Sequence, residues 1–202
     1  MKRPIFIARQ AANPTGIIGK LIGRIMAHET AALNEQAVRL LALRASDRVL
    51  EIGFGHGRTV KRIASAVTQG HVAGLDVSQT MTRLAIRRNR RAVTDGRVEL
   101  RTGSCTSMPY ADGLFDKVLC VHTVYFWIDP QPCLREVRRV LRPGAHFVLG
   151  FMRNVESCKA RFPAAVYRFY DEDQIQRMLS AEGFAILKLE RVGEASLALA
   201  TV

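Results

Sequence analysis

The sequence predicts an α/β protein in which helices cover both faces of a mostly parallel sheet. Short apolar segments bounded by turn residues alternate with segments whose apolar residues recur at helical spacing, as expected for successive strand–helix units. The first unit joins an apolar segment over 49–52 to a glycine-rich turn and an amphipathic helix. A strand, a glycine turn and a helix in this order form the nucleoside-binding corner of a doubly wound, Rossmann-like sheet.

The spacing of the glycines restricts the ligand of this corner. Gly53, Gly55 and Gly57 follow the strand at intervals of two, behind the acidic Glu51. Glycine suits such a turn because the backbone takes positive φ and approaches a ligand closely. A dinucleotide-binding turn, G-x-G-x-x-G, needs its third glycine at position 58, where Arg58 stands. An NAD-type ligand is therefore disfavoured.

Length and composition indicate one globular domain. The chain has 202 residues, of which 48% are hydrophobic and 24% charged, an ordinary balance for a globular protein. No apolar run approaches the roughly 20 residues that span a bilayer, and the apolar segment near the first residues is too short for a secretory signal. We expect a single cytoplasmic domain over 1–202, with a helical N-terminal lid or substrate segment over 1–45 and a core over 47–202.

The net charge of +12 and the pI near 10.3 are the abnormal global features. Such a surface favours nucleic acid, anionic lipid or an acidic substrate as a partner. A basic surface that is only solvated explains the charge equally well. The charge therefore restricts the partners and leaves the chemistry open.

The four cysteines, Cys105, Cys120, Cys133 and Cys158, contain no C-x-x-C pair and have no histidine at zinc spacing. We expect each of them to be a small core or pocket residue rather than a disulfide partner or a metal ligand. No metal site is predicted.

The segment before the core predicts two helices after an irregular lead-in over 1–13. In the first, over 17–26, apolar residues recur at helical spacing while Lys20 and Arg24 lie on another face. The apolar positions are Ile18, Leu21, Ile22 and Ile25. The second helix covers 30–43. We favour a lid over the site or packing against the sheet, and contact with a membrane surface stays open.

The core predicts further strands over 71–77, 97–103, 115–121, 145–151, 184–191 and 196–201, with helices over 78–92, 130–141 and 171–182. Residues 152–170 follow no clean period. Asp76 ends the second strand about 20 residues beyond Gly57, close to where a doubly wound site places the carboxylate that accepts the ribose hydroxyls. The sequence thus predicts a nucleoside site at the ends of the first two strands.

Four motifs in this order resemble those of class I S-adenosyl-L-methionine (SAM)-dependent methyltransferases. They are the segments at 49–57, 74–78, 115–118 and 141–144. The resemblance covers about 47–202 and is to the small-molecule branch that includes the ubiquinone and menaquinone methyltransferases and many small bacterial proteins. It implies seven strands, one of them antiparallel and supplied by a C-terminal hairpin. It also implies methyl transfer by in-line displacement, with S-adenosyl-L-homocysteine as the product.

The resemblance also implies the cofactor contacts. Glu51 and the glycine backbone would hold the methionine end of SAM, and Asp76 the ribose. Ser104 stands where relatives often carry the aspartate that binds the adenine amino group, so we expect weaker adenine recognition. The implied set is Glu51, Gly53, Phe54, Gly55, Gly57, Asp76, Val77, Met81, Ser104, Cys105, Val121 and His122.

A general base is needed only when the attacking atom carries a proton that must leave early. His122, at the end of the fourth strand, is the best candidate, and Tyr125 and His28 are weaker ones. A histidine that only packs at the pocket edge is the competing interpretation. Aromatic residues near the predicted pocket favour an aromatic or apolar acceptor, and the charge allows an acidic one. These residues are Phe126, Trp127, Phe162, Tyr167, Phe169 and Tyr170.

The sequence is also compatible with two other functions. A methyltransferase acting on RNA, or on anionic lipid or quinone at a membrane surface, would use the same chemistry. Base-modifying relatives carry an Asn-Pro-Pro-Tyr type of segment after the fourth strand, whereas residues 122–125 read His-Thr-Val-Tyr, so nucleic acid is not favoured. A protein that binds SAM without methylating is the second alternative. The oligomeric state is left open.

Overall fold

The computed structural model describes residues 2–202 and contains one seven-stranded sheet in the order β3-β2-β1-β4-β5-β7-β6. All neighbouring strands pair in parallel except that β7 runs antiparallel to both β5 and β6. The predicted fold class, including the inserted antiparallel strand, is confirmed. The strands are β1 Arg48–Ile52, β2 His71–Asp76, β3 Val98–Thr102, β4 Phe115–Val121, β5 Leu141–Met152, β6 Ala185–Val192 and β7 Ala195–Thr201.

Helices cover both faces of the sheet and divide the core into two layers. One layer packs residues of α1, α7 and α9 against the sheet, and the other packs residues of α3, α4 and α5. The helices are α1 Ile5–Ala12, α2 Gly16–Glu29, α3 Ala31–Leu40, α4 Arg58–Ala66, α5 Gln79–Arg88, α6 Arg90–Thr94, α7 Pro130–Val140, α8 Glu156–Arg161 and α9 Glu172–Ala181. Because both faces are covered, the central strands have almost no polar side and are continuously apolar.

Side-chain caps determine where several helices begin. The Ser78 hydroxyl accepts from the Met81 N–H at the start of α5, and Asp129 caps α7 through the Gln131 N–H. Asp171 and Gln174 form a reciprocal capping box on α9. Each cap satisfies backbone donors that a helix leaves unpaired in its first turn. The predicted starts of these helices follow from that chemistry.

The N-terminal segment differs from the prediction in two respects. Residues 5–12 form α1 rather than an irregular lead-in, with Ala8 and Ala11 buried. The predicted apolar stripe of α2 faces solvent, since Ile18, Leu21 and Ile25 are exposed and only Ile22 is buried. The buried side of α2 is marked instead by its small residues, Gly19 and Gly23.

These two glycines let α2 approach its neighbours. A β-carbon at Gly19 would lie 2.6 Å from the carbonyl carbon of Pro14, and one at Gly23 would lie 2.9 Å from the Met81 sulfur. Larger residues would hold α2 away from α5. The helix therefore packs by its small side, and the period of its large apolar residues does not identify the buried face.

The cysteine prediction is wrong for one pair. Cys105, in the loop after β3, and Cys133, in the first turns of α7, form a disulfide with their Cα atoms 5.0 Å apart, within the usual range for such a bond. The two residues meet only through the tertiary fold, since 28 residues separate them. Cys120 and Cys158 are buried free thiols, as predicted.

Across residues 2–202, no helix is long and apolar enough to span a bilayer. The same part of the chain contains no group of three or more side chains placed to hold a metal ion.

Candidate functional site

A large cavity opens at the carboxyl ends of β1, β2 and β4. Its volume is about 1250 Å³, and its walls come from the glycine turn after β1, the loops after β2, β3 and β4, and helices α2 and α3. Strand β1 pairs with β2 on one side and β4 on the other, so the chain reverses its winding direction at this point. Ligands of open α/β sheets bind in the crevice at such a switch point.

The glycine turn forms the floor of the cavity. Gly53, Gly55 and Gly57 have φ values of 75°, 53° and 76°, in the left-handed region that residues with a β-carbon rarely occupy. A β-carbon at Gly53 would lie 2.1 Å from the Thr123 methyl carbon, whereas one at Gly55 would meet nothing within 4 Å. Gly57 is outside the cavity, and a β-carbon there would lie 2.7 Å from the β-carbon of Ala85 on α5.

We expect Gly53→Ala to destabilise the fold and weaken ligand binding at the turn. Positive φ costs an alanine about 1–2 kcal/mol, and displacing Thr123 adds overpacking of about 1–3 kcal/mol. Gly193→Ala is the matched control, because Gly193 also has positive φ (59°) but has nothing within 4 Å. Urea unfolding of both variants measures the difference, and equal losses would show that the contact with Thr123 is unimportant.

Two carboxylates lie at the cavity wall beside the turn. Glu51 is buried, and its Oε2 atom has no hydrogen-bond partner among the residues described. Burial, and secondly the charge of Asp76, raise the pKa of Glu51 to about 8. Asp76 accepts the Gly55 N–H at Oδ2 and the Ser78 N–H at Oδ1, both at 2.8 Å. Burial raises the pKa of Asp76, and these two donors act against the rise.

The far wall of the cavity contains Val77, Met81, Ser104 and Cys105. Val77 is half-exposed and Met81 is buried, so they offer an apolar surface beside Asp76. The Ser104 hydroxyl lies 2.8 Å from the Thr106 hydroxyl and also accepts the Thr106 N–H. Because these neighbours already engage it, Ser104 offers a ligand fewer hydrogen bonds than an aspartate would.

His122 lies at the end of β4 in an unusual backbone conformation, with φ of 61°. Its Nδ1 atom is 2.9 Å from the Tyr125 hydroxyl oxygen, and its buried Nε2 has no partner among residues 2–202. Burial lowers the pKa of His122 to about 4, so the imidazole is neutral at pH 7. His122 lines the cavity, whereas Tyr125 is buried behind it and does not.

The sequence resembles known proteins over this same region. Residues 50–149 match the methyltransferase-domain family. The chain is 30% identical over 125 residues to a putative methyltransferase, YrhH, of Bacillus subtilis, spanning 62% of this chain and 68% of that protein. The chain belongs to the class I SAM-dependent methyltransferases.

Two further relatives of this methyltransferase chain have small molecules in their names. One is the 27-O-demethylrifamycin SV methyltransferase of Amycolatopsis mediterranei, 34% identical over 60% of this chain and 44% of the relative. The other is the ubiquinone/menaquinone biosynthesis C-methyltransferase UbiE of Syntrophotalea carbinolica, 32% identical over 70% of this chain and 58% of the relative. The matches thus span only about half of these two relatives' lengths.

Solved structures agree on the fold of the methyltransferase. A SAM-dependent methyltransferase from Aquifex aeolicus superposes with a TM-score of 0.72 at 22% identity, covering 84% of this chain and 89% of that one. The cyclase SpnF superposes with a TM-score of 0.74 at 20% identity, covering 84% and 80%. Neighbours this distant establish the architecture alone, since one fold hosts many reactions.

The residues present at the cavity fit SAM. The unpartnered Oε2 of Glu51 would accept a hydrogen bond from the cofactor's ammonium group, and the glycine backbone leaves room for its methionine end. Asp76 retains free lone pairs for the ribose hydroxyls, because a carboxylate offers about four acceptor sites and two are used. Val77 and Met81 would contact the adenine.

Most of the predicted site residues meet in this one cavity. Of the predicted cofactor set, Gly57 alone lies outside the lining. Of the predicted catalytic residues, His122 lines the cavity, Tyr125 contacts His122 from behind, and His28 is exposed on α2 and absent from the lining. From the N-terminal segment, α2 contributes Gly23 and Met26 to the wall and α3 contributes Asn34, while its role as a lid stays a prediction.

The sequence analysis missed His56, which lies between two glycines of the turn and lines the cavity. Its Nδ1 is buried and has no partner within the described chain. Burial and the nearby Arg88 and Arg58 lower the pKa of His56 to about 4. Its position inside the glycine motif is the signal that identifies it, because Gly55 before it and Arg58 after it also line the cavity.

Proposed function

We propose that this chain transfers the methyl group of SAM to a small-molecule acceptor by in-line displacement. The observation that carries the proposal is a single cavity that joins the Glu51 and Asp76 carboxylates to a wall from α2, α3 and the loop after β4. Its volume of about 1250 Å³ exceeds the usual range for one small ligand, about 300–1000 Å³. The cavity has room for a cofactor and an acceptor together.

The chain's main contribution to the reaction is positioning. SAM supplies a methyl group already activated by the sulfonium centre. Glu51 holds its methionine end and Asp76 its ribose, so the direction from which an acceptor approaches is set by the rigid ends of β1 and β2. Phe126 and Trp127 line the cavity after β4, and we propose that they exclude water from the reacting centre.

We propose that His122 removes the acceptor's proton where the attacking atom carries one. Burial keeps the imidazole neutral at pH 7, which is the form that accepts a proton. The Nε2 atom is available as the base when Nδ1–H donates to the Tyr125 hydroxyl oxygen, 2.9 Å away. Tyr125 is therefore a positioning residue that selects the tautomer and holds the ring.

We expect His122→Gln to lower kcat about 100-fold or more while leaving SAM affinity unchanged, because general bases contribute about 10²–10⁴-fold. Tyr125→Phe should lower kcat less, and its loss should not recover above pH 7, because the imidazole is already neutral there and only its tautomer and orientation are affected. Calorimetry with SAM and steady-state rates separate the two effects. If both variants lose SAM affinity in parallel with rate, His122 and Tyr125 only support the fold of the pocket.

The lining of the cavity also supports a proposal about the class of acceptor. Apolar side chains line the part next to His122, and basic side chains line the part next to α3 and α4. The basic residues are Arg39, Arg58, Lys61 and Arg62, and Glu35 lies between Arg39 and Arg62 at 3.9 and 3.8 Å, so Arg58 and Lys61 are the cations without a carboxylate partner among residues 2–202. We propose an acceptor with an aromatic or apolar body, a nucleophilic O, N, S or carbon atom, and an acidic group that reaches these cations.

Release of S-adenosylhomocysteine tests the proposal. Hydroxybenzoates and other small phenolic acids are compared with their methyl ethers, which lack the free nucleophile, and with phenols that lack the acid. We expect turnover with the phenolic acids, slower turnover without the acid, and none with the ethers. SAM binding with no turnover on any acceptor, small-molecule or RNA, would instead favour a protein that binds SAM without methylating.

A further inference from the structure

Helices α1 and α2 form an antiparallel hairpin at one edge of the cavity. Arg3 pairs with Glu29 at 2.8 Å at the open end, and the Gln10 side chain bonds to Thr15 at the turn. The hairpin is attached to the body through its small and medium residues, including Ala8, Ala11 and Ile22, which are buried. The large apolar residues lie elsewhere on both helices.

Most of the exposed large apolar side chains of the described chain lie on this hairpin. Ile17 is 84% exposed and Leu21 is 60% exposed. The set on the hairpin is Ile5, Phe6, Ile17, Ile18, Leu21 and Ile25. On α2 the exposed apolar members lie opposite the small residues Gly19 and Gly23, because helical residues are spaced by 100°. A monomeric protein rarely exposes such a continuous apolar face without a partner.

The charge of the hairpin identifies the partner. Acidic residues are absent from residues 2–28, which contain Lys2, Arg3, Arg9, Lys20 and Arg24. Lys20 and Arg24 are exposed beside the apolar side chains of α2, and neither has an ion-pair partner among residues 2–202. A second copy would bring like charges together. An anionic bilayer accepts both features, since apolar side chains enter below the headgroups and cations contact the phosphates.

We propose that the exposed face of the α1–α2 hairpin docks on the surface of an anionic phospholipid bilayer, with α2 lying in the interface plane. The opposite side of α2 contributes Gly23 and Met26 to the cavity wall. Docking therefore brings the cavity close to the lipid headgroups, where an apolar acceptor would be concentrated. The docking itself does not depend on methyl transfer and is measured separately from it.

Vesicle flotation of the full chain tests the docking. Binding to vesicles of phosphatidylcholine is compared with binding to an equimolar mixture of phosphatidylcholine and phosphatidylglycerol, at low and high salt. We expect strong binding to the anionic vesicles, weak binding to the neutral ones, and a loss of binding at high salt. Equal binding to both compositions, or none to either, would overturn the proposal.

Substitutions on the exposed face separate this hairpin from the general basic charge. Leu21→Ser should weaken binding to the anionic vesicles about tenfold, and Lys20→Gln about fivefold. The controls are Leu187→Ser, at a half-exposed leucine on β6, and Arg177→Gln, which removes one charge from α9. Both controls should bind as the unaltered chain does. If the control variants lose as much binding to the anionic vesicles as the hairpin variants do, the proposal is overturned.

Light scattering tests whether a second copy of the chain, rather than a bilayer, covers the apolar face of the hairpin. If the unaltered chain forms a dimer that Leu21→Ser dissociates, the face is an interface between copies and the bilayer proposal fails. A monomer that binds anionic vesicles supports it. Thermal unfolding confirms that each variant is folded, which is expected because all of the substituted side chains are exposed.

Discussion

Replacing Asp76 with alanine is expected to weaken SAM binding by more than about 100-fold. The ribose would lose two hydrogen bonds to a charged acceptor, each worth about 1.5–3 kcal/mol. The N–H groups of Gly55 and Ser78 would lose their acceptor as well, so the glycine turn would lose one of its supports. Calorimetric titration with SAM and with S-adenosylhomocysteine measures the effect.

Asp76→Asn separates the ribose contact from the support of the turn. The amide keeps an oxygen for one backbone N–H, and its uncharged oxygen is a weaker acceptor for the hydroxyls. We expect Asp76→Asn to lose less affinity than Asp76→Ala but to be less stable than the unaltered chain, because its NH2 group faces the second backbone N–H. Unchanged SAM affinity in Asp76→Ala would show that Asp76 does not bind the ribose of SAM.

Replacing Glu51 with glutamine is expected to stabilise the ligand-free protein while weakening SAM binding. The buried carboxylate has no partner at Oε2 and lies near Asp76, so its charged form is unfavourable until a cationic ligand arrives. Glutamine removes that charge at the same volume. We expect SAM affinity to fall about 10- to 100-fold through the loss of a hydrogen bond to a charged group.

The stability effect depends on pH in a defined direction. The folded pKa of Glu51 is about 8, against a usual value of 4.5, so between these pH values the folded state binds a proton that the unfolded state has lost. The free energy of unfolding therefore falls as pH rises from about 4.5 to 8. Glu51→Gln should abolish the part of this pH dependence that Glu51 causes. At pH 8 its free energy of unfolding should exceed that of the unaltered chain by roughly 2–4 kcal/mol.

Urea unfolding at pH 5 and pH 8, with and without SAM, checks both effects of Glu51→Gln. SAM should stabilise the unaltered chain more than the variant, by mass action on the folded state. Glu190→Gln, at a half-buried position on β6, is the control for loss of one carboxylate. If Glu51→Gln is less stable than the unaltered chain at pH 8, the ionised carboxylate stabilises the ligand-free fold and the prediction is wrong.

Much of the sheet follows directly from the amino-acid pattern. The strand over 115–121 has the same bounds in the structure as in the prediction, because Val118, Leu119 and Cys120 are covered on both faces and only an apolar run satisfies that environment. The positions of the two acidic site residues also follow from the pattern of strands. Glu51 and Asp76 end strands that feed one cavity, and the order of strands places them together.

Other features depend on contacts between distant segments, which a local pattern does not contain. The disulfide joins Cys105 to Cys133 across the cavity loops. The buried side of α2 is decided by how closely Gly19 and Gly23 approach their neighbours, and a count of large apolar residues points to the wrong side. The antiparallel hairpin follows from the residues around Gly193, whereas the insertion of β7 beside β5 follows only from the family resemblance.

The insertion of β7 between β5 and β6 determines the order in which these strands can pair during synthesis. The edge strand β6 pairs with β7 and with no other strand of residues 2–202, and β7 in turn connects it to β5. Strand β6 therefore has no place in the sheet until the later segment 195–201 has been synthesised. During synthesis, β5 exposes an unpaired edge until this segment leaves the ribosome, so β7, which is made after β6, is the strand that joins β6 to the sheet.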